Sequence, residues 1–251
     1  METSDDLSLL FRRIELRRSL SDHEKAVLRE GFDKPSTVPA RSDIVRDGER
    51  PTRSTLLLSG FAARSKVTEA GDRQITALHI PGDFVDLHSF PLEIMDHAVV
   101  ALTDCTVATI SHTALSAIVA REPNLTVTLW LLTLLDGAMH REWLVSMGAT
   151  PGDSHMAHLF CEMFMRLKAV GLADGNRVPF PLTQVELGAT LGMSPVHVNR
   201  VLQALRGRGL IEWDGKIAAV LDWEGLLTLA QFDPTHLHLP GKNVLRDFGP
   251  A

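Results

Sequence analysis

The sequence lacks the residues that a thiolate metal centre or a membrane span would require. Only two cysteines occur among 251 residues, Cys105 and Cys161, and no Cys-x-x-Cys pair is present. This excludes a zinc ribbon or an iron-sulfur cluster built from this chain alone, and we interpret each thiol as a small buried hydrophobe. No apolar run reaches about eighteen residues, and acidic residues precede the first apolar run, so we expect neither a membrane span nor a secretory signal, but a cytoplasmic protein.

An excess of positive charge is also missing. The formal net charge is −6, which argues against indiscriminate binding of nucleic acid. Residues 153 to 221, however, contain seven basic and six acidic side chains, so the negative charge lies mainly in the rest of the chain. With 45% hydrophobic and 22% charged residues, the composition is globular, and the length is sufficient for two domains.

The most informative stretch that the sequence does contain is 182–222, which predicts a winged helix-turn-helix. Thr183 and Glu186 form a capping box that starts one helix, and Gly192 ends that helix. Ser194 then offers an N-cap, with proline at the first helical position of a second helix that runs to about residue 207. Asp-Gly at 214–215, between two apolar runs, predicts the hairpin that forms the wing. The alternative is a helical pair used only for packing or protein contact.

The second helix has one apolar face and one polar face. Helical spacing puts valine and leucine at 198, 201, 202 and 205 on one side and leaves polar residues on the other. Arginine can grip guanine through two parallel hydrogen bonds, and asparagine or glutamine can bond an adenine edge. The residues predicted to contact DNA are Thr183, Gln184, Ser194, Pro195, Val196, His197, Asn199, Arg200 and Gln203.

The pattern LTQ-x-E-L-x-x-x-L-G-M-S-x-x-H-V-N-R-x-L, from Leu182 to Leu202, resembles the DNA-binding domain of the Crp/Fnr regulators. The resemblance implies an α+β chain with an N-terminal double-stranded β-helix (jelly roll) domain, a long dimerisation helix and a C-terminal winged helix-turn-helix. It also implies a palindromic operator in double-stranded DNA, a homodimer and possible contact with RNA polymerase. Arg200 matches the family's guanine-reading arginine, whereas Val196 stands where the namesakes carry a glutamate and could touch only a thymine methyl group.

Between residues 35 and 110 the pattern changes to short β-type runs separated by glycine or proline, which predicts a sandwich or barrel. Ile80-Pro81-Gly82-Asp83-Phe84 is similar to the Gly-Asp-Phe signature of the family's cyclic-nucleotide-binding-like jelly roll. The family's nucleotide binders then supply a glutamate for the ribose and an Arg-Ser or Arg-Thr pair for the phosphate. The residues assigned to an effector pocket are Asp83, Phe84, Asp86, His88 and His97.

The phosphate position in this chain reads Asp96-His97-Ala98. An aspartate there would repel a cyclic phosphate, so we expect no tight binding of cyclic AMP. The family's iron-sulfur oxygen sensors carry an N-terminal group of cysteines, which is missing here, so that mechanism is excluded.

A long helix is predicted from Asn124 to about Met147, and it has two apolar faces. One face is a heptad seam, expected either to form the dimer interface or to pack on the sensor domain. The residues of this seam are Leu125, Leu129, Leu132, Asp136, Met139 and Trp143. Leucine at 131 and 134 and alanine at 138 form the other face. The predicted domains are 1–122 for the helices and β-domain, 123–150 for the dimerisation helix and hinge, 151–232 for DNA binding and 233–251 for a tail without an assigned role.

The sequence contains few of the motifs that catalytic or metal-binding functions require. No nucleophile elbow, P-loop, metal triad or close carboxylate pair occurs, so no catalytic residue, metal ligand or cofactor is assigned. Histidines at 79, 88, 97 and 112 invite a haem or metal interpretation, but no pair has ligand spacing on one predicted element. The alternatives left open are an enzyme or small-molecule binding module with an added DNA-binding domain, and a regulator that senses haem, metal or redox state, for example through Cys105.

Overall fold

The computed structural model describes residues 7–250, and the chain divides into two compact units, Met1–Asp136 and Gly137–Ala251. The first unit begins with helices α1 (Ser8–Glu15) and α2 (Asp22–Gly31). The hydroxyl of Ser21 accepts a hydrogen bond from the backbone N–H of Glu24, and the Glu24 carboxylate accepts one from the backbone N–H of Ser21, so α2 starts at a reciprocal capping box.

Seven short strands follow, joined by turns and one helical turn. They are β1 (Ser36–Val38), β2 (Asp43–Val45), β3 (Arg53–Ser59), β4 (Ala62–Val67), β5 (Arg73–His79), the helix α3 (Ser89–Leu92), β6 (Ala98–Ala101) and β7 (Cys105–Ser111). One sheet has the order β1-β7-β3 and the other β2-β6-β4-β5, and every pairing is antiparallel. Two antiparallel sheets with this order confirm the β-rich, α+β prediction for the sensor domain.

Helix α4 (His112–Arg121) is capped by Ser111, and α5 (Pro123–Ala149) contains the boundary between the two units. Successive residues of β3 point to opposite faces, so Leu57 belongs to a core that includes residues of both sheets, whereas Leu56 packs with the helices. This second cluster combines buried side chains of α1, α2, α4 and the first half of α5. The first unit is therefore a two-sheet domain with helices covering one sheet.

The second unit is assembled around helix α6 (Gly152–Ala169), which is buried over almost its whole length. Pro151 occupies the N-cap position, and Asp153 lies in the first turn, where its carboxylate interacts favourably with the positive end of the helix dipole. The remaining elements are β8 (Arg177–Pro179), α7 (Gln184–Leu191), α8 (Pro195–Gly207), β9 (Ile211–Trp213), β10 (Ile217–Val220) and α9 (Trp223–Ala230). They confirm the predicted winged helix-turn-helix and add strand β8, which completes the order β8-β10-β9.

The turn between α7 and α8 depends on two glycines. Gly192 ends α7 in the left-handed conformation, with φ of 63°. A Cβ atom at Gly188 would stand 2.7 Å from the carbonyl oxygen of Met193, so the backbone of α7 approaches the turn more closely than another residue allows without a shift. These two positions fix the angle and distance at which α8 leaves the turn.

The C-terminal tail is fixed to the second unit. It forms a 3₁₀ turn at Pro234–Leu237 and a short helix, α10, at Val244–Asp247. The indole N–H of Trp223 donates to the carbonyl oxygen of Leu245 at 3.1 Å, and Lys168 donates to that of Gly249. Among the described residues, no helix is both long and apolar enough to cross a membrane.

Candidate nucleic-acid interface and effector site

Helix α8 is held in place by its cap and by its apolar face. The Ser194 hydroxyl accepts a hydrogen bond from the backbone N–H of His197 at 3.3 Å, and Pro195 occupies the first helical position. The buried side chains of α8 are Val198, Val201, Leu202 and Leu205. Because the cap and this face determine the rotation of the helix, they also decide which side chains face outward.

Most of the residues predicted to contact DNA lie on that outward side. Val196 is 82% exposed, and Asn199, Arg200 and Gln203 are exposed along the same helix. The side chains of these last three form no hydrogen bond or ion pair with another described residue, so their polar groups face solvent. Thr183, Gln184, Ser194 and Pro195 are exposed around the N-termini of α7 and α8, although the hydroxyls of Thr183 and Ser194 serve as caps.

His197 differs from its neighbours because it is half-buried. Its ring lies so close to Gly152 that a Cβ atom there would stand 2.9 Å from the imidazole Nε2. Two arginines near the end of α8 also have partners within the chain. Arg206 donates to the carbonyl oxygen of Trp213 in β9, and Arg208 pairs with Asp153 at 3.5 Å. Arg200 is therefore the cation of α8 that is left to face solvent.

In the sensor unit, the signature residues hold the fold together. Asp83 is buried, pairs with Arg13 of α1 and accepts a hydrogen bond from the backbone N–H of Ile80 at 3.1 Å. Phe84 is half-buried and its ring lies 5.8 Å from that of Phe32. These contacts connect α1 and the loop after β5. Asp83 and Phe84, which the sequence analysis assigned to an effector pocket, therefore have structural partners.

Asp86 lies in the interior of the sensor unit. Its carboxylate accepts hydrogen bonds from the backbone N–H of Thr55 at 2.5 Å and from the Thr55 hydroxyl at 3.3 Å. Burial raises the pKa of the Asp86 carboxyl from 3.8 to about 7, although these bonds and the charge of Arg64 oppose the increase. Asp86 is thus an interior carboxyl that titrates near neutral pH.

His88 and His97 are the two predicted effector residues that the fold brings together. Their ring centroids are 4.9 Å apart, and His97 shares a hydrogen bond of 2.5 Å with the Asp96 carboxylate. Burial lowers the pKa of His88 to about 4 and also lowers the pKa of His97, so His88 is neutral at physiological pH. The nearby guanidinium of Arg64 is buried and pairs with Asp136 at 2.8 Å.

The heptad seam predicted as a dimer interface is largely committed within the chain. Leu125, Leu129 and Leu132 are buried in the core of the first unit. Asp136 pairs with Arg64, and Trp143 is buried and donates its indole N–H to Glu162 at 2.8 Å. Asp136 and Met139 are half-buried. These contacts favour the second of the two predicted roles, in which the seam packs on the chain's own cores.

Comparisons with known proteins cover both units. Residues 35–122 match the cyclic nucleotide-binding domain, and residues 154–229 match the Crp-like helix-turn-helix domain. The transcriptional activator protein FnrA of Stutzerimonas stutzeri is 28% identical over 205 residues, which are 76% of this chain and 83% of that protein. The transcriptional activator protein anr of Pseudomonas aeruginosa is 26% identical over 178 residues, 68% of this chain and 72% of that protein.

The fold agrees with these matches. The solved structure of FixK2 from Bradyrhizobium japonicum superposes with a TM-score of 0.72 at 21% identity, covering 78% of this chain and 96% of that chain. A sensor-type β domain followed by a winged helix-turn-helix defines a DNA-binding transcription regulator. Within that class, the chain belongs to the Crp/Fnr family.

The interior position of Asp86 predicts a specific dependence of stability on pH. Since its pKa is about 7 in the folded chain and 3.8 in the reference state, the folded state binds the additional proton between these values. The stabilisation is complete below pH 3.8 and is lost as the pH rises through 7. In Asp86→Asn, which keeps the acceptor for Thr55 but cannot ionise, we expect unfolding free energy relative to wild type to rise by up to about 4 kcal/mol from pH 4 to pH 8.

Urea unfolding followed by circular dichroism at several pH values measures this difference. Asp72→Asn, at an exposed hairpin tip, is the matched control and is expected to show no such rise. A constant difference between Asp86→Asn and wild type across this range would contradict the expectation.

Proposed function

We propose that this regulator binds a palindromic operator as a homodimer, acting in the cytoplasm where its DNA target lies, and reads each half-site with α8. The observation that carries this proposal is the exposed row of Val196, Asn199, Arg200 and Gln203 on a helix whose opposite face is buried. A capped helix presented by a rigid core is the element that a helix-turn-helix places in the major groove.

The exposed side chains define what α8 can recognise. Arg200 can donate two parallel hydrogen bonds to guanine, and Asn199 or Gln203 can pair with the edge of adenine. Val196 can contact a thymine methyl group but cannot accept a hydrogen bond. Thr183, Gln184 and Ser194 lie at helix N-termini, where backbone N–H groups suit phosphate oxygens. His197, which packs on Gly152, is more suited to orienting α8 than to reading a base.

Selection of random duplexes by the purified protein, followed by sequencing, would define the operator. We expect a palindrome with half-sites about one helical turn apart. For Arg200→Ala, we expect a loss of about 1–3 kcal/mol in specific binding and relaxed preference at one base pair per half-site, because the guanine contact is lost.

Arg73→Ala is the matched control for Arg200→Ala, since it removes the same charge from an exposed site on β5 of the sensor unit. It is expected to leave the preference at every position unchanged. Equal losses for both variants, with the same recovered sequence, would mean that Arg200 contributes only general charge.

The homodimer is supported by an exposed apolar stripe on α5, on a different face from the predicted seam. Val127, Trp130 and Leu134 follow each other by 3 and 4 residues, which keeps them on one helical face. Their exposed fractions are 43%, 64% and 51%. Of the second apolar face noted in the sequence, Leu134 belongs to this stripe, whereas Ala138 is buried. Two copies of α5 could bury these side chains against each other.

In Leu134→Glu we expect the dimer to dissociate, because two carboxylates would face an apolar interface. Sedimentation velocity should show wild type as a dimer and the variant at the mass of one chain, 27.6 kDa. Leu92→Glu is the control, since Leu92 is similarly exposed, at 62%, but lies on α3. A monomeric wild type, or an unchanged dimer in Leu134→Glu, would contradict this interface.

The sensor is proposed to respond to something other than cyclic AMP. A cyclic phosphate needs a cation, but Arg64 is held by Asp136, and burial favours the neutral form of His88. A redox response through Cys105 is also disfavoured, because its thiol is buried and burial raises its pKa, which lowers the fraction of reactive thiolate.

Isothermal titration with cyclic AMP is expected to show no saturable heat at concentrations that span the micromolar range. The same preparation should bind the selected operator, which shows that the protein is folded and active. A dissociation constant in the micromolar range or tighter would overturn this part of the proposal.

A further inference from the structure

A buried group of three metal-ligand side chains lies in the second unit, on α6 and the C-terminal tail. His158 and Glu162 are one turn apart on α6, and His236 comes from the 3₁₀ turn of the C-terminal tail. All three are buried, with Glu162 fully so. The match to the Crp-like helix-turn-helix ends at residue 229, so His236 lies beyond it. The group therefore joins a helix of the matched domain to the tail outside it.

The ligand atoms converge on one point. The Nε2 atom of His236 is 3.5 Å from Oε2 of Glu162, the Nε2 atom of His158 is 4.0 Å from the same oxygen, and all three atoms lie within 4.8 Å of one another. Zinc binds nitrogen and oxygen at about 2.0–2.2 Å, which sets tetrahedral ligands about 3.4 Å apart. Side-chain movements of about 1 Å would close the site.

The surrounding contacts orient these atoms as metal sites require. Nδ1 of His236 is 2.9 Å from the backbone carbonyl oxygen of Asp233, to which it can donate, and this leaves the lone pair of Nε2 directed at Glu162. Trp143 donates to Oε2 of Glu162 at 2.8 Å, and Arg166 donates to Oε1 at 3.1 Å. Apart from these approaches to Glu162, the buried Nε2 atoms of His158 and His236 have no hydrogen-bond partner among the described residues.

We propose that His158, Glu162 and His236 bind one divalent transition metal ion of the zinc type, with a water molecule completing four ligands, and that this ion fastens the C-terminal tail to α6. Imidazole and carboxylate ligands with an open fourth position are a set that zinc accepts. The alternative occupant is a proton, which would make the group a buried cluster of ion pairs. This inference does not depend on the proposed operator or dimer.

The test uses the full chain without an affinity tag, treated with a chelator and then dialysed. Isothermal titration with zinc chloride is expected to give one ion per chain with a micromolar or tighter dissociation constant. Cobalt(II) should give a tetrahedral ligand-field spectrum without the near-ultraviolet band of thiolate ligation, because Cys105 and Cys161 do not take part.

In His236→Ala we expect zinc affinity to fall by at least about 100-fold, since loss of an outer-shell partner alone costs about 10- to 100-fold. His238→Asn is the matched control, because this exposed tail histidine adopts a left-handed conformation, φ 48°, that asparagine tolerates. It should bind zinc as wild type does. Glu162→Gln, which keeps an acceptor for Trp143, is the second variant if His236→Ala does not fold, and it should lose zinc binding too.

Failure of the wild-type chain to bind zinc would identify the group as a proton-held ion-pair cluster and overturn the proposal. Equal zinc affinity in wild type and His236→Ala, or a thiolate band with cobalt(II), would also overturn it. Loss of affinity in His238→Asn but not in His236→Ala would place the metal at an exposed site elsewhere in the tail.

Discussion

The second unit depends on the burial of α6. Nearly every side chain of this helix is enclosed, so the winged helix-turn-helix, α9 and the tail all find their places against it. Such a helix would ordinarily be apolar all round, because an isolated buried charge costs several kcal/mol. Glu162 is nevertheless placed at its centre, where Arg166 and His236 lie close enough to pair with its charge and Trp143 donates a hydrogen bond to it. Removal of one partner would leave the others buried and uncompensated, so these residues act as one group.

Helix α5 shows how one amphipathic pattern can serve two purposes. The heptad spacing of Leu125, Leu129 and Leu132 is the pattern of a coiled coil, yet these side chains fill the core of the sensor unit. Spacing alone cannot distinguish these outcomes, because a helix packed on its own domain and a helix packed on a partner need the same periodicity. The exposed stripe that includes Trp130 and Leu134 is recognised only once burial is known.

The sensor unit keeps the Gly-Asp-Phe signature, but its polar residues are used for contacts within the fold. Asp83 is committed to Arg13 and to the loop backbone, and Asp86 to Thr55. Among the described residues whose charge affects the adjacent rings of His88 and His97, the only buried cation is Arg64, which is paired with Asp136. Asp83 and Asp86 therefore have hydrogen-bond partners within the unit, as buried polar groups require.

Local chemistry allowed the sequence alone to determine the DNA-binding element. The capping box at Thr183, the cap at Ser194, the left-handed Gly192 and the Asp214-Gly215 turn each act over a few residues, so α7, α8 and the wing followed from the sequence and the structure confirms them. The strand spacing predicted a sandwich or barrel, and the structure has two antiparallel sheets in the first unit. Contacts between residues far apart in the chain could not be predicted, because no local rule specifies them. Only tertiary packing decided that the α5 seam is enclosed. It also decided that Arg64 pairs with Asp136 and that His236 meets Glu162, because these partners are 72 and 74 residues apart in the chain.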